Sequence, residues 1–166
     1  DSFDIDFFGS TLTQNNLAGF GPDTGAREMR YSNIGTFNSM VVDLVVTGSS
    51  SYNSSNAASN GKNGKFGTIN LLGGTDVELT FTVVANGTNT PVEIGELFFS
   101  LFDLDQSFEG KMLERIYASD YKAFVIDKNA ENAIDIERVP DGRTVFKSKL
   151  HGIGCDNPKD PKTLGP

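Results

Sequence analysis

Apolar residues recur at every second position along much of the chain, a pattern typical of strands that bury one face. The alternation is clearest at residues 40–46 and 77–83, and it begins at 3–7, where aromatic or aliphatic residues alternate with acids. Further strands are predicted at residues 66–72, 93–105, 112–118, 122–126, 133–139 and 144–150.

Turn residues and composition indicate how these strands are connected. Residues 140–143 read Pro-Asp-Gly-Arg and predict a hairpin between the last two strands, and residues 86–91 predict another turn. The only helix candidates, 13–20 and 106–113, are short. From 47 to 65 the composition falls to Ser, Asn, Gly and Ala. We therefore predict a long exposed polar loop there, mobile unless a neighbouring chain orders it.

This pattern predicts an all-β chain, with an antiparallel β-sandwich or jelly roll as its architecture. The 18 glycines and 13 phenylalanines agree with many turns around an aromatic core. No repeat or linker divides the 166 residues. We therefore predict a single domain over 1–166.

Residues 93–105, which read EIGELFFSLFDLD, form the most informative stretch of the sequence. Because this stretch is apolar on both faces, we predict that it is a central strand. It ends at Asp103 and Asp105, and residues two apart on a strand share a face. Two carboxylates that point the same way repel one another unless a cation, a basic group or protonation intervenes.

A hard metal ion is the simplest way to relieve that repulsion. Calcium binds six to eight oxygens from carboxylates, carbonyls and waters. We predict a single structural calcium ion held by Asp103, Asp105 and Glu114, with Asp156 as a further ligand and with residues 156–158 packed against the Asp103 end of the strand. In the alternative interpretation, the acids lie on a solvated strand end or pair with Lys111 and Arg115.

Other reactive groups are few. A carboxylate pair can hydrolyse glycosides, but sugar clefts normally contain tryptophan platforms and the chain has no tryptophan, so an enzyme is not expected. His151 is the single histidine and Cys155 the single cysteine. We interpret His151 as structural or exposed and Cys155 as a small packing residue. Sequons at 53–55 and 86–88 lie in predicted loops and permit glycosylation.

The charge balance narrows the classes of partner. Fourteen basic against 22 acidic residues give a net charge of −8, which makes nucleic acid and anionic membranes poor partners. No apolar run reaches the roughly 18 residues of a membrane helix. The chain begins at Asp1 without a methionine, and we expect that a targeting segment has been removed.

Four stretches together resemble a poorly characterised family of β-rich domains. They are FGTINL at 66–71, GTNTP at 87–91, FSLFDLDQ at 99–106 and GIGCDNPKDP at 152–161. The family is found in algae with secondary plastids and in some bacteria, and its members look exported or organelle-targeted. The FDxDQ and DNPxDP elements are the most specific parts. In relatives the chain continues into another strand, so the resemblance implies a final strand that is missing here or supplied by a partner.

From these observations we expect a non-catalytic structural or accessory binding subunit of a larger protein assembly. The expected compartment is exported or lumenal, for instance the thylakoid lumen beside an algal photosynthetic membrane complex. The alternative is a calcium-dependent carbohydrate-binding or adhesion module at the cell surface. An enzyme such as a glycosidase or lyase ranks third.

Overall fold

The computed structural model describes residues 3–128, 131–152 and 160. These residues form nine strands, all paired antiparallel, and three short 3₁₀ turns, at Leu17–Gly19, Ala57–Ser59 and Phe108–Gly110. The prediction of an antiparallel all-β chain is confirmed. The strands are β1 (Thr11–Asn15), β2 (Met29–Phe37), β3 (Met40–Gly48), β4 (Gly61–Asn63), β5 (Phe66–Thr68), β6 (Leu79–Ala85), β7 (Arg115–Ala118), β8 (Ile134–Arg138) and β9 (Thr144–Ser148).

The described residues divide into two compact units. Unit 1 contains the residues up to Phe99 together with Asp160, and unit 2 contains residues 100–152. Each unit has its own sheet. A single domain over 1–166, its arrangement as a sandwich or jelly roll, and a final strand beyond the DNPxDP element all remain predictions.

Unit 1 is built on a four-stranded sheet in the order β1-β2-β3-β6, beside a two-stranded ribbon of β4 and β5. The predicted strand at 40–46 is β3, and its central position explains why Val42–Val46 are buried on both faces. The strand predicted at 77–83 is observed slightly later, as β6. The largest fully buried side chains around this sheet include Tyr31, Tyr52, Leu17 and Met29.

Strand β2 was not predicted, because a bulge breaks its alternation. Asn33 adopts a left-handed backbone conformation with φ of 57°, and the pairing with β3 shifts between Tyr31 and Gly35. Buried residues therefore fall at Met29, Tyr31 and Ile34, a spacing that period two does not fit.

The predicted strand at 3–7 is wrong as secondary structure, although its inward and outward positions are right. The segment is irregular, yet Phe3 is buried and the Phe7 ring packs edge-on against Tyr31, with ring centroids 5.0 Å apart. The backbone N–H of Asp6 donates to Ile34 O at 2.8 Å. Apolar side chains thus fix the segment without forming a strand ladder.

The prediction of an exposed loop over 47–65 is also wrong in part. The segment includes the end of β3, a 3₁₀ turn and β4, and it buries Tyr52 and Asn60. The Tyr52 hydroxyl donates to Asn70 O and accepts from Asn60 Nδ2, both at 2.8 Å. Asn60 Oδ1 accepts from the Asn70 backbone N–H at 2.7 Å. The buried Tyr52 ring and the hydrogen bonds of Tyr52 and Asn60 to the Asn70 backbone therefore anchor this segment, although its composition suggested that nothing in it would be buried.

Unit 2 contains a three-stranded sheet in the order β7-β9-β8. The predicted hairpin is confirmed: β8 pairs with β9, and the turn is closed by Val139 and Arg143, where the Val139 N–H donates to Arg143 O at 3.0 Å. The strand predicted at 122–126 is not formed. Phe124 instead packs edge-on against Phe146 of β9, with ring centroids 5.1 Å apart. Both helix candidates are wrong. Residues 13–15 of the candidate 13–20 belong to β1 and only Leu17–Gly19 forms a 3₁₀ turn, and the candidate 106–113 contains only the 3₁₀ turn Phe108–Gly110.

The predicted central strand at 93–105 is wrong. No residue from 92 to 105 belongs to a strand, and Phe98 is 87% and Leu101 55% exposed. Asp103 has φ of 62°, in the left-handed region that Asp tolerates better than most residues. A left-handed residue interrupts the alternation of faces, so the argument that placed Asp103 and Asp105 on one strand face does not hold.

Candidate functional site

Three of the predicted acidic ligands, Asp103, Asp105 and Glu114, lie in unit 2. Gln106 forms an antiparallel bridge with Leu113 and a parallel bridge with His151. The Glu114 N–H donates to Asp105 O, and the Asp105 N–H donates to Glu114 Oε2, both at 3.3 Å. Asp105 and Glu114 are therefore brought together by backbone pairing on either side of the loop 107–112.

The backbone of Gly152 lies close to the Asp105 carboxylate. A Cβ atom at this glycine would lie 1.5 Å from Asp105 Oδ2, far inside van der Waals contact. The Gly152 N–H also donates to Gln106 O at 3.1 Å. Any side chain at position 152 would displace the Asp105 carboxylate from this position.

The carboxyl groups of this cluster interact electrostatically. Burial raises the pKa of Glu114 above its usual value, and the negative charges of Asp105 and Asp103 raise it further, while the hydrogen bond from the Asp105 N–H opposes them. The pKa of Glu114 therefore responds to the charges of both aspartates.

This proximity does not amount to a coordination shell. Across residues 3–128, 131–152 and 160, no three His, Cys, Asp or Glu side chains are arranged to hold a metal ion. Asp156 lies outside the described residues, and so does its expected packing against Asp103. The calcium site remains a prediction.

His151 and Lys111, which were also considered in the sequence, make surface contacts with neighbouring residues. His151 is exposed, its ring packs edge-on against Phe108, and its Nδ1 lies 3.1 Å from Gln106 O. Lys111 forms an ion pair with Glu109 at 2.9 Å. Cys155 lies outside the described residues.

Unit 1 contains a buried carboxylate that was not predicted from the sequence. Asp43, in the middle of β3, is completely inaccessible to solvent. Its Oδ1 accepts from the Asn33 N–H at 3.1 Å and from Asn86 Nδ2 at 2.7 Å. Its Oδ2 accepts from the Gly87 N–H at 3.0 Å and from Arg30 Nη1 at 3.3 Å. An aspartate inside the run MVVDLVV is the signal that could have identified it, because isolated acids are rarely buried without partners.

Arg30 extends this network to the turn after β6. Its Nη1 also donates to Thr88 O at 2.8 Å, its Nη2 donates to Asn89 Oδ1, and its Nε pairs with Glu28 at 2.9 Å. Burial alone would raise the pKa of Asp43, but the four donors together lower it below its usual value. The ionised carboxylate thus ties the β2 bulge, β3 and the turn together.

The same network distinguishes the two sequons. The Asn86 side-chain nitrogen is engaged with Asp43 and lies 3.3 Å from Asn33 Oδ1, so the amide that would carry a glycan already has a structural role. Asn53 is exposed, and its Oδ1 accepts from the Ser54 N–H at 2.9 Å.

The most conspicuous surface feature is apolar. In the segment 97–102, which we call the apolar segment, all residues except Ser100 are large and apolar, and each of these is at least 39% exposed. The segment runs from unit 1, which contains residues 97–99, into unit 2, which contains residues 100–102. Several exposed apolar side chains within one short segment mark an interaction site more often than a single exposed residue does.

No protein-family model matches the chain, and neither the curated proteins nor the solved structures contain a significant match. The family resemblance drawn from the FDxDQ and DNPxDP elements therefore remains a prediction. Within the described ranges, no helix has the length and hydrophobicity that crossing a membrane requires.

Proposed function

We propose that this protein is a non-catalytic binding component of a larger protein assembly and that it attaches through the apolar segment 97–102. The observation that supports the proposal is the exposure of five large apolar side chains within six consecutive residues. Burying a fully exposed side chain of this size contributes about 1.5–3 kcal/mol. Phe98, at 87% exposed, approaches that value, and each of the other four, at 39–55% exposed, would contribute about half of it. A partner that covers several of them therefore gains enough to offset part of the cost of association.

A protein surface fits this segment better than the other partner classes do. Its side chains are phenyl and aliphatic groups, which match the apolar centre of a protein interface. The net charge of −8 disfavours nucleic acid. We further propose an exported or lumenal location, which rests on the sequence resemblance alone.

The proposal is tested by the size of the assembly that contains the protein. Tagged wild-type chain, Phe98→Ser and Phe8→Ser are expressed in cells that naturally make the protein, and gentle extracts are separated by native size. Phe8 is the matched control, since it is also a largely exposed phenylalanine, at 68%, but lies outside the apolar segment.

Wild type and Phe8→Ser are expected in a high-mass fraction, and Phe98→Ser is expected to shift toward the mass of the free chain. Migration of the wild-type chain at its monomer mass would contradict the proposal, and so would a Phe98→Ser variant that remains in the assembly.

A further inference from the structure

The turn at 86–90 begins a hairpin whose second strand stops early. The Ala85 N–H donates to Thr90 O and the Val92 N–H donates to Val83 O, both at 2.9 Å. Val84 forms an antiparallel bridge with Pro91. These contacts fix the register, since residues 85 and 90, 84 and 91, and 83 and 92 face one another. After Val92 the ladder ends.

The side chains continue the pattern of a strand beyond that point. Val92 and Ile94 are half-buried against the core of unit 1, and Glu93 and Gly95 are exposed. Leu79 of β6 packs against the same core. Continuing the register would place Ile94 opposite Phe81 and residue 96 opposite Leu79, which keeps Ile94 on the core face.

The outer edge of β6 is available to such a strand. The Asn86 N–H donates to Val41 O and the Ser49 N–H donates to Glu78 O, so the even-numbered residues of this stretch direct their backbone groups toward β3. Odd-numbered residues direct theirs outward, as the bonds of Val83 and Ala85 with 90–92 demonstrate. The backbone groups of Phe81 and Leu79 therefore face outward, and within the described part of the chain no backbone hydrogen bond outside the strand ladders engages them.

We propose that residues 93–97, which form no strand in this structure, pair with the outer edge of β6 in a second, closed conformation and become a fifth strand of the unit 1 sheet. Two features hold the hairpin open. Gly95 has a low intrinsic preference for strands, and the Phe99 ring packs against Phe81, the residue that Ile94 would face in the closed register, with centroids 4.7 Å apart. Closing adds hydrogen bonds at Phe81 and Leu79. Opening leaves a free sheet edge, which is the kind of surface that accepts a strand from another chain.

This inference concerns the free protein and stands apart from the attachment proposed above. It is tested by disulfide trapping of the hairpin in a Cys155→Ser background. In the closed register, positions 80 and 95 form a non-hydrogen-bonded pair, with Cα atoms about 4.5 Å apart, which suits a disulfide. Gly95 accepts a side chain, because a Cβ there meets nothing within 4 Å and the φ of this residue is not left-handed.

Two further cysteine pairs provide the controls. The pair Thr82→Cys with Glu93→Cys borders the existing ladder and reports the rate expected for a formed hairpin. The pair Thr80→Cys with Glu96→Cys is displaced by one residue, so its side chains fall on opposite faces of a closed hairpin.

Under mild oxidation, Thr80→Cys with Gly95→Cys is expected to form an intramolecular disulfide within about tenfold of the rate of the 82/93 pair and faster than the displaced pair. A rate equal to that of the displaced pair would overturn the proposal. So would a disulfide between two chains, which would mean that a second copy occupies the edge.

Hydrogen exchange provides a measurement that needs no cysteine. Gly95→Thr raises the strand preference of the segment and is expected to slow exchange of the Phe81 and Leu79 amides about tenfold, whereas Gly95→Pro is expected not to slow it. Equal exchange in the Gly95→Thr variant and the wild type would contradict the proposal.

Discussion

Replacing Asp43 with asparagine tests the network that holds unit 1 together. Each carboxylate oxygen accepts two hydrogen bonds, and asparagine supplies only one oxygen. Whichever way the amide turns, its NH₂ group faces two donors, and among the described residues Arg30 keeps only Glu28 as a counter-charge. Breaking a buried ion pair by removing one partner costs about 3–5 kcal/mol. That is a large part of the roughly 5–15 kcal/mol by which a domain is stable.

Urea unfolding followed by circular dichroism measures this loss, and hydrogen exchange of β3 peptides assigns it to unit 1. Asp141→Asn is the matched control. Asp141 pairs with Arg143 at 2.7 Å, but both side chains are about half exposed, so no measurable change is expected. A loss for Asp43→Asn below about 1 kcal/mol, the range of surface pairs, would refute the claim that this network stabilises unit 1.

Three further measurements test the buried polar contacts and the predicted calcium site. Because the pKa of Asp43 is lowered in the folded protein, its stabilising contribution is complete above the unfolded pKa of about 3.9 and is lost as the pH falls through the folded pKa. Wild type should therefore lose more stability than Asp43→Asn between neutral and acidic pH. Tyr52→Phe removes a hydroxyl that makes two hydrogen bonds and should cost about 1–3 kcal/mol in urea unfolding. If Asp103 and Asp105 bind calcium, a hundredfold excess over the Kd should add about 2.7 kcal/mol of stability, and changing both to asparagine should abolish this response. A melting temperature indifferent to calcium and to chelator would contradict the calcium site.

Strands were predicted correctly where the alternation of apolar and polar residues matches the burial of the strand in the structure. Strand β3 and the hairpin of β8 and β9 were predicted because alternation or turn residues specify them directly. Strand β2 was not predicted because Asn33, a residue with a left-handed backbone conformation, interrupts the alternation of buried and exposed residues. The loop over 47–65 was misjudged because composition does not reveal that a single residue, Tyr52, is buried.

The candidate sites show the same limit. An apolar stretch such as 93–105 has the same pattern whether it forms a buried strand or an exposed surface, so sequence alone could not separate the two. Asp105 and Glu114 lie together in the structure, but the strand geometry used to group Asp103 with Asp105 was wrong. Asp43 was overlooked because its four partners come from distant parts of the chain.

Attachment through the apolar segment 97–102 can be tested by site-specific photo-crosslinking in intact cells that naturally make the protein. A photoreactive phenylalanine analogue is placed at Phe98 in one chain and at Phe8 in another, since both positions are exposed phenylalanines. If the protein attaches through the apolar segment, position 98 gives one discrete crosslinked protein product and position 8 gives none. Absence of a product at position 98, or the same products from both positions, would contradict it.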